Sequence, residues 1–171
     1  MIEVVRVCDR LMMALMVVGK VTCKVISAYA PQAGVEEEDK VEFFDRLSDL
    51  MLRVKDKEWV IVGGDFNGHV GEGSGDFRGM HGGYGVGRRN AEGVRLLEFC
   101  EEHELSVVNT FFRKAERHQI TYRSPSPLPS APSSTCRTPL PPQSPYQPIS
   151  QLLQYPPLPL LPHSPSNTTY T

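Results

Sequence analysis

The sequence predicts a mixed α/β domain over residues 1–124, and three observations carry that prediction. Two apolar runs rich in β-branched residues, 11–18 and 21–28, are separated only by Gly19-Lys20, the length of a tight hairpin turn with glycine where unusual dihedrals cost least. Between residues 35 and 55 the period changes: Phe43, Phe44, Leu47, Leu50, Met51 and Val54 share one face of a helical repeat, which makes an amphipathic helix. Trp59-Val-Ile-Val62 then reads as a short buried strand ending in Gly63-Gly64, so strand, helix and strand follow in the order that builds an α/β layer.

The remaining elements follow from local chemistry. Pro31 biases Ala30 away from helix and stops the second strand. Glu36, Glu37, Glu38 and Asp39 crowd the first turn of the helix, where the dipole favours anions. Residues 63–87 hold 11 of the 14 glycines, so this stretch is a long loop of the kind that is functional or mobile in a compact domain. Asn90 caps a second helix running to about His103, with Val94, Leu97 and Cys100 on one face. Leu105-Ser-Val-Val-Asn109 makes another strand and residues 118–123 one more. No P-loop string occurs, and Gly83-Tyr-Gly85-Val-Gly87 fails the dinucleotide pattern at Arg88, so nucleotide cradling is unsupported.

Composition divides the chain at Ser124. All 20 acidic residues and 17 of the 18 Lys and Arg precede it, giving residues 1–124 a formal charge of 17 − 20 = −3 and excluding a simple basic nucleic-acid sleeve. Fourteen of the 15 prolines follow it, so 125–171 is expected to be a disordered Pro/Ser-rich tail without a packed core. Local basic clusters remain: Arg88 and Arg89, then Arg113, Lys114, Arg117 and Arg123, which could meet a phosphate backbone or be solvated surface charge. Cys8, Cys23, Cys100 and Cys136 show neither zinc spacing nor a disulfide framework. The apolar run after Arg6 and Arg10 imitates a signal-peptide core, but a paired strand is the simpler account, and an intracellular location is favoured over secretion. The run is too short to span a bilayer as a helix, so no membrane partner is expected, and the oligomeric state is not encoded.

The string that carries chemistry is Val60-Ile-Val-Gly-Gly-Asp65-Phe66-Asn67-Gly68. A buried strand delivers a carboxylate and a carboxamide two residues apart, where alternate side chains converge on one substrate atom. The carboxylate can hold a metal or accept a proton from water, and the amide can orient a phosphate or a nucleophile. The same spacing also fits a turn in which both side chains bond the local backbone. His69 beside this string, like His81 and His118, reads first as a loop histidine facing solvent or backbone, and Trp59 and Phe43/Phe44 read as core.

Gly64-Asp65-Phe66-Asn67 and the upstream Ser27-Ala28-Tyr29-Ala30-Pro31 resemble the signatures of the endonuclease/exonuclease/phosphatase superfamily. The chain is similar in particular to endonuclease domains of non-LTR retrotransposons (the LINE class) and their craniofacial development protein 2-like relatives. The carriers are Ile26-Ser-Ala-Tyr-Ala-Pro-Gln-Ala-Gly34, Gly63-Gly-Asp-Phe-Asn-Gly-His-Val-Gly71, Arg89-Asn90-x-x-Gly93, Val107-Val-Asn-Thr-Phe-Phe112 and Thr121-Tyr-Arg-Ser124. The resemblance implies a partial four-layer α/β sandwich and hydrolysis of DNA or another phosphodiester with Mg²⁺ or Mn²⁺. It implies that Tyr29 touches the scissile phosphate, that Asp65 binds metal and aligns or deprotonates the attacking water, and that Asn67 orients the phosphate and the carboxylates.

Departures from that pattern shape the functional expectation. The family's strand-borne Asn and metal-binding Glu belong well before residue 9, and Glu3 has none of their context. An Asp-containing strand and a Ser-Asp-His motif are expected downstream, where this chain has Pro125-Ser-Pro-Leu-Pro instead; the change is what a shifted, misjoined or wrongly assigned reading frame produces. The expectation is therefore a fragment of a metal-dependent phosphodiester hydrolase that is catalytically incomplete. Its rivals are a non-catalytic remnant that binds nucleic acid or protein, and a proline-rich tail acting as a ligand for small recognition domains.

Overall fold

The computed structural model describes residues 3–55 and 58–115, together with the strands 120–123, 146–148 and 151–155. β1 (Glu3–Arg6), β2 (Leu11–Val18) and β3 (Val21–Tyr29) form an antiparallel meander, with Val18 paired to Val21 across the two-residue turn and Gly19 at a φ of 65°. Helix α1 (Glu37–Met51) crosses over to β4 (Trp59–Asp65), which pairs parallel to β3. Helix α2 (Ala91–Glu102), the short β5 (Ser106–Val107) and a 3-10 turn at Val108–Thr110 follow. The main sheet runs β1-β2-β3-β4-β8-β5, and a separate two-stranded sheet pairs β6 (Ile120–Arg123) with β7 (Tyr146–Pro148).

Three elements differ from the sequence expectation. β4 does not end at the glycines but continues through them to Asp65, because their backbones carry the ladder with β3 as well as any residue's would. The stretch expected as a strand at 105–109 keeps only two strand residues before it turns into the 3-10 segment. Within the expected tail, β7 and β8 (Gln151–Tyr155) are strands, and β8 inserts antiparallel between β4 and β5. Gln151-Leu-Leu-Gln-Tyr155 is a proline-free run between Pro148 and Pro156, so every backbone donor needed for a ladder is present there. The rest of 125–171, including Cys136, lies outside the described residues.

The two faces of the sheet have different fates. Leu11, Met13, Ile26, Ala28, Val60 and Val62 alternate onto one face and are buried in one core with Phe43, Leu47 and Leu50 of α1 and Leu96, Leu97 and Phe99 of α2. Phe43, Phe44 and Phe99 meet edge-on or tilted, with Phe43–Phe44 and Phe44–Phe99 centroids 5.3 and 5.5 Å apart, and Ser48 Oγ bonds His103 Nε2 at 2.9 Å. The opposite face carries Met12, Val18, Val21 and Trp59, all exposed. Trp59 is thus not the core residue its run suggests: it opens β4 opposite Cys23, with its side chain on the uncovered face and 43% exposed. No helix among the described residues is long and apolar enough to cross a membrane.

One charge lies on the buried face. Lys24 is 7% exposed, and its ammonium bonds Glu58 Oε2 at 2.8 Å and the Arg53 carbonyl, which closes the α1–β4 connection over the sheet. The hydrogen bond from Lys24 in turn holds the Glu58 carboxyl below its ordinary range. Glu58→Ala should cost roughly 2–3 kcal/mol in urea unfolding. That is below the usual loss of about 3–5 kcal/mol for a buried pair, since Lys24 retains the carbonyl. The double replacement Lys24→Met, Glu58→Met should recover most of the loss.

Candidate active site

The parallel register of β3 and β4 sets Tyr29 directly beside Asp65 at the sheet rim, with the Ala30 amide donating to the Asp65 carbonyl at 2.8 Å. Both residues lie on the uncovered face; Tyr29 is 47% exposed and Asp65 is exposed. This close approach depends on Gly64, whose added Cβ would collide with the Ala28 carbonyl of β3.

Asn67 reaches the same place by a different route from the one expected. The strand ends at Asp65, and Asn67 adopts a left-handed φ of 48°, so pleat alternation does not aim its side chain. Its backbone N–H donates to Asp65 Oδ1 at 2.9 Å, and its Nδ2 donates to the Ala30 carbonyl at 2.8 Å. The local turn that the spacing also allowed is therefore formed. It fixes the Asp65 carboxylate through one oxygen. Phe66 turns inward between them, buried and edge-on to Phe43 with centroids 6.4 Å apart.

The loop beyond is held by side chains that bond its backbone. Asn90 caps α2 by accepting from Gly93 N at 2.8 Å, and the same Oδ1 accepts from His69 N at 2.9 Å, while Asn90 N returns a bond to the His69 carbonyl at 3.0 Å. Gly93 is required because a Cβ there would strike that carbonyl. The His69 ring is buried with Nε2 on the Val86 carbonyl, and its Nδ1 has no partner among the described residues. Arg89, read in the sequence as a possible phosphate contact, donates to the Val70 and Gly73 carbonyls at 2.9 Å each and lies over the Phe77 ring at 5.1 Å. Its guanidinium braces the glycine loop. Arg113 and Lys114 are exposed, while Arg117 and His118 lie outside the described residues.

His81 is buried with Nε2 on the Gly71 carbonyl at 3.1 Å and Nδ1 accepting from Gly83 N at 3.0 Å, which defines one neutral tautomer. Burial lowers its pKa to about 4.

Arg10, which sequence reasoning left aside, stands at the rim with its guanidinium 5.4 Å from the Tyr29 ring centroid and Nη1 3.4 Å from the Tyr29 carbonyl. No group of three or more His, Cys, Asp or Glu side chains gathers anywhere among the described residues. Asp65 is one carboxylate with one oxygen already engaged, whereas Mg²⁺ prefers octahedral oxygen coordination. The described residues do not fit a divalent-cation site.

Comparison with known proteins bears on this geometry. No protein-family model matches the chain. Over 101 residues the chain is similar to craniofacial development protein 2 of Bos taurus, 35% identical, and to that of Tragulus javanicus, 33% identical. Each match covers 59% of this chain and 17% of the relative, so the chain spans about a sixth of the length of these proteins. Among solved structures, the endonuclease domain of TRAS1, a telomere-specific non-LTR retrotransposon, aligns with a TM-score of 0.46 and 14% identity over 71% of this chain and 48% of that one. The resemblance to craniofacial development protein 2 read from the motifs is thus found over 101 residues of the chain, and the fold is mixed α/β.

Two measurements test the scaffold. Replacing Asn90 with Ala should cost about 1–2 kcal/mol in thermal or urea unfolding, at the upper end for a helix cap because the His69 amide loses its acceptor as well. His81 should make stability depend on pH. Between 6.5 and about 4 the unfolded chain takes up the proton that the folded chain refuses, so the contribution is complete above pH 6.5 and lost as pH falls to about 4. The loss should be on the order of a few kcal/mol and absent in His81→Gln, and the His81 ring signals should not titrate near 6.5 by NMR.

Proposed function

We propose that residues 1–124 are part of an endonuclease/exonuclease/phosphatase-type domain whose rim receives a phosphodiester, and that this chain by itself is catalytically incomplete. The observation that carries the reading is the pairing of Tyr29 with Asp65 on one open face at the ends of two parallel strands. A phenol hydroxyl can donate to a phosphoryl oxygen, and a neighbouring carboxylate can align water or take its proton. Asn67, by bonding Asp65 and Ala30 together, positions that carboxylate. The apolar open face, with Met12, Val18, Val21 and Trp59, suits a further sheet packed against it, as the four-layer sandwich of such domains requires. DNA is the substrate class we favour. Residues 125–171 are a separate proline-rich region in this reading, apart from the segments β7 and β8.

Incompleteness follows from the donor set. A carboxylate that is alone among the described residues does not supply the ligands for Mg²⁺ or Mn²⁺, and no Ser-Asp-His string occurs in the 171 residues. The same lone carboxylate favours the second reading, a surface that binds nucleic acid without cleaving it.

Plasmid nicking by the full chain and by Asp65→Ala, each with and without Mg²⁺ or Mn²⁺, tests the proposal. Loss of one electrostatic stabiliser commonly costs about 10²–10³ in rate and groups acting as a unit fail together, so both proteins should stay at background. Robust metal-dependent nicking that vanishes in Asp65→Ala would show the site to be sufficient and the incomplete reading wrong.

A further inference from the structure

The rim holds a third member in the same row as Tyr29 and Asp65. In the antiparallel ladder of β2 and β3, Leu11 pairs with Ala28, and Tyr29 N donates to the Arg10 carbonyl at 2.9 Å, so Arg10 stands across from Tyr29. Leu11 and Ala28 are buried on the helix-covered face; Arg10 and Tyr29, one residue on, belong to the open face, and Tyr29 pairs in turn with Asp65. Cation, phenol and carboxylate thus occupy one line across three strands, spaced by about 4.8 Å from strand to strand.

Arg10 is not engaged in an ion pair there. Asp9, its neighbour in sequence, bonds Arg6 at 2.5 Å, and no carboxylate among the described residues pairs with Arg10. Its guanidinium is oriented by the Tyr29 ring and by a single long bond to the Tyr29 carbonyl. A guanidinium lying over a ring face and making one long bond keeps further edge N–H groups, and the arginine fork is the shape that takes two oxygens of a phosphate. A phosphodiester approaching Tyr29 also meets the negative charge of Asp65, and a cation in the same row offsets that repulsion.

We propose that Arg10 is a phosphate-binding, specificity-determining residue that holds a backbone phosphate of a polynucleotide while the adjacent phosphate lies at Tyr29 and Asp65. The proposal rests on the phosphodiester reading above and narrows it. A row wider than one phosphate is filled by phosphates in series, whereas a phosphate monoester occupies only one end. The substrate class is therefore a nucleic-acid strand and not a small phosphoester.

The test is a titration of the isotopically labelled full chain with a single-stranded oligothymidylate of ten residues and, separately, with inorganic phosphate. Wild type, Arg10→Ala and Arg10→Lys are compared, and the amide signals of Tyr29, Ala30 and Asp65 are followed. Arg10 is exposed and its strand contact is through the backbone, so the variants should keep the wild-type amide dispersion. The oligonucleotide should shift the rim signals in wild type. Arg10→Ala should bind about tenfold more weakly, with the slope of log affinity against log salt reduced by about 0.7, the value for one phosphate of a single strand. Arg10→Lys should restore the slope but not the full affinity, because the charge returns without the stacked fork. Inorganic phosphate should bind at least about a hundredfold more weakly than the oligonucleotide. Rim shifts with unchanged affinity and slope in Arg10→Ala would overturn the role of Arg10 while leaving the phosphodiester reading in place. Phosphate binding as tight as the oligonucleotide would overturn the choice of a polynucleotide. Absence of rim shifts with either probe would overturn both the inference and the reading beneath it.

Discussion

The arrangement depends on the parallel contact between β3 and β4. An amphipathic helix that must bury Phe43, Leu47 and Leu50 lies over the sheet between two strands running the same way, and their common direction brings two chain ends to one rim. The contact is close because Gly64 faces the Ala28 backbone without a Cβ. From it follow the adjacency of Tyr29 and Asp65, the bond from Ala30 to Asp65, and the capture of Asn67 by the Ala30 carbonyl. Were β4 to run antiparallel to β3, Asp65 would lie at the far end of the sheet from Tyr29.

Polar groups elsewhere serve the same scaffold. Glu37, placed by the sequence where the helix dipole favours anions, also pairs with Arg95 of α2, and Lys40 links Glu92 to the Ala33 carbonyl at 3.3 and 3.0 Å. These bonds tie α1, α2 and the connection after β3 to one another. Cys100 sits in the same interior, where burial pushes its thiol up, so it behaves as a small apolar residue.

The hairpin, both helices and the strand leading to Asp65 were legible in the sequence because each combines a clear period with a clear stop. Gly19-Lys20 fixes the β2–β3 register, and that register already pairs residue 10 with residue 29, since Val18 opposite Val21 counts back to Arg10 opposite Tyr29. The signal for Arg10 is therefore present in that count, one residue before the apolar run begins. Other features were not legible. Pleat alternation does not aim the Asn67 side chain, because a left-handed residue after a strand leaves no trace in a two-residue period. Trp59 was misassigned because an all-apolar run does not say which of its faces a helix covers. Arg89 beside Arg88 looks like a phosphate-facing cluster in sequence, and only the folded loop brings carbonyls to its guanidinium. β8 lies within a segment whose average composition argues against structure, although five consecutive residues without proline suffice for a strand.

The glycine loop between β4 and α2 is held by side chains that bond main-chain groups. His69 binds the Val86 carbonyl, His81 bridges Gly71 and Gly83, and Arg89 grips Val70 and Gly73. Carbonyls and amides are the same whatever residue carries them. The path of the loop is therefore written in a few anchors and in those glycines that tolerate close approach, while its outward side chains are released from any part in maintaining it. Such a loop can change its surface chemistry by point substitution without changing its course. That leaves the outward surface of the loop free to vary while Tyr29 and Asp65 stay where the strands leave them.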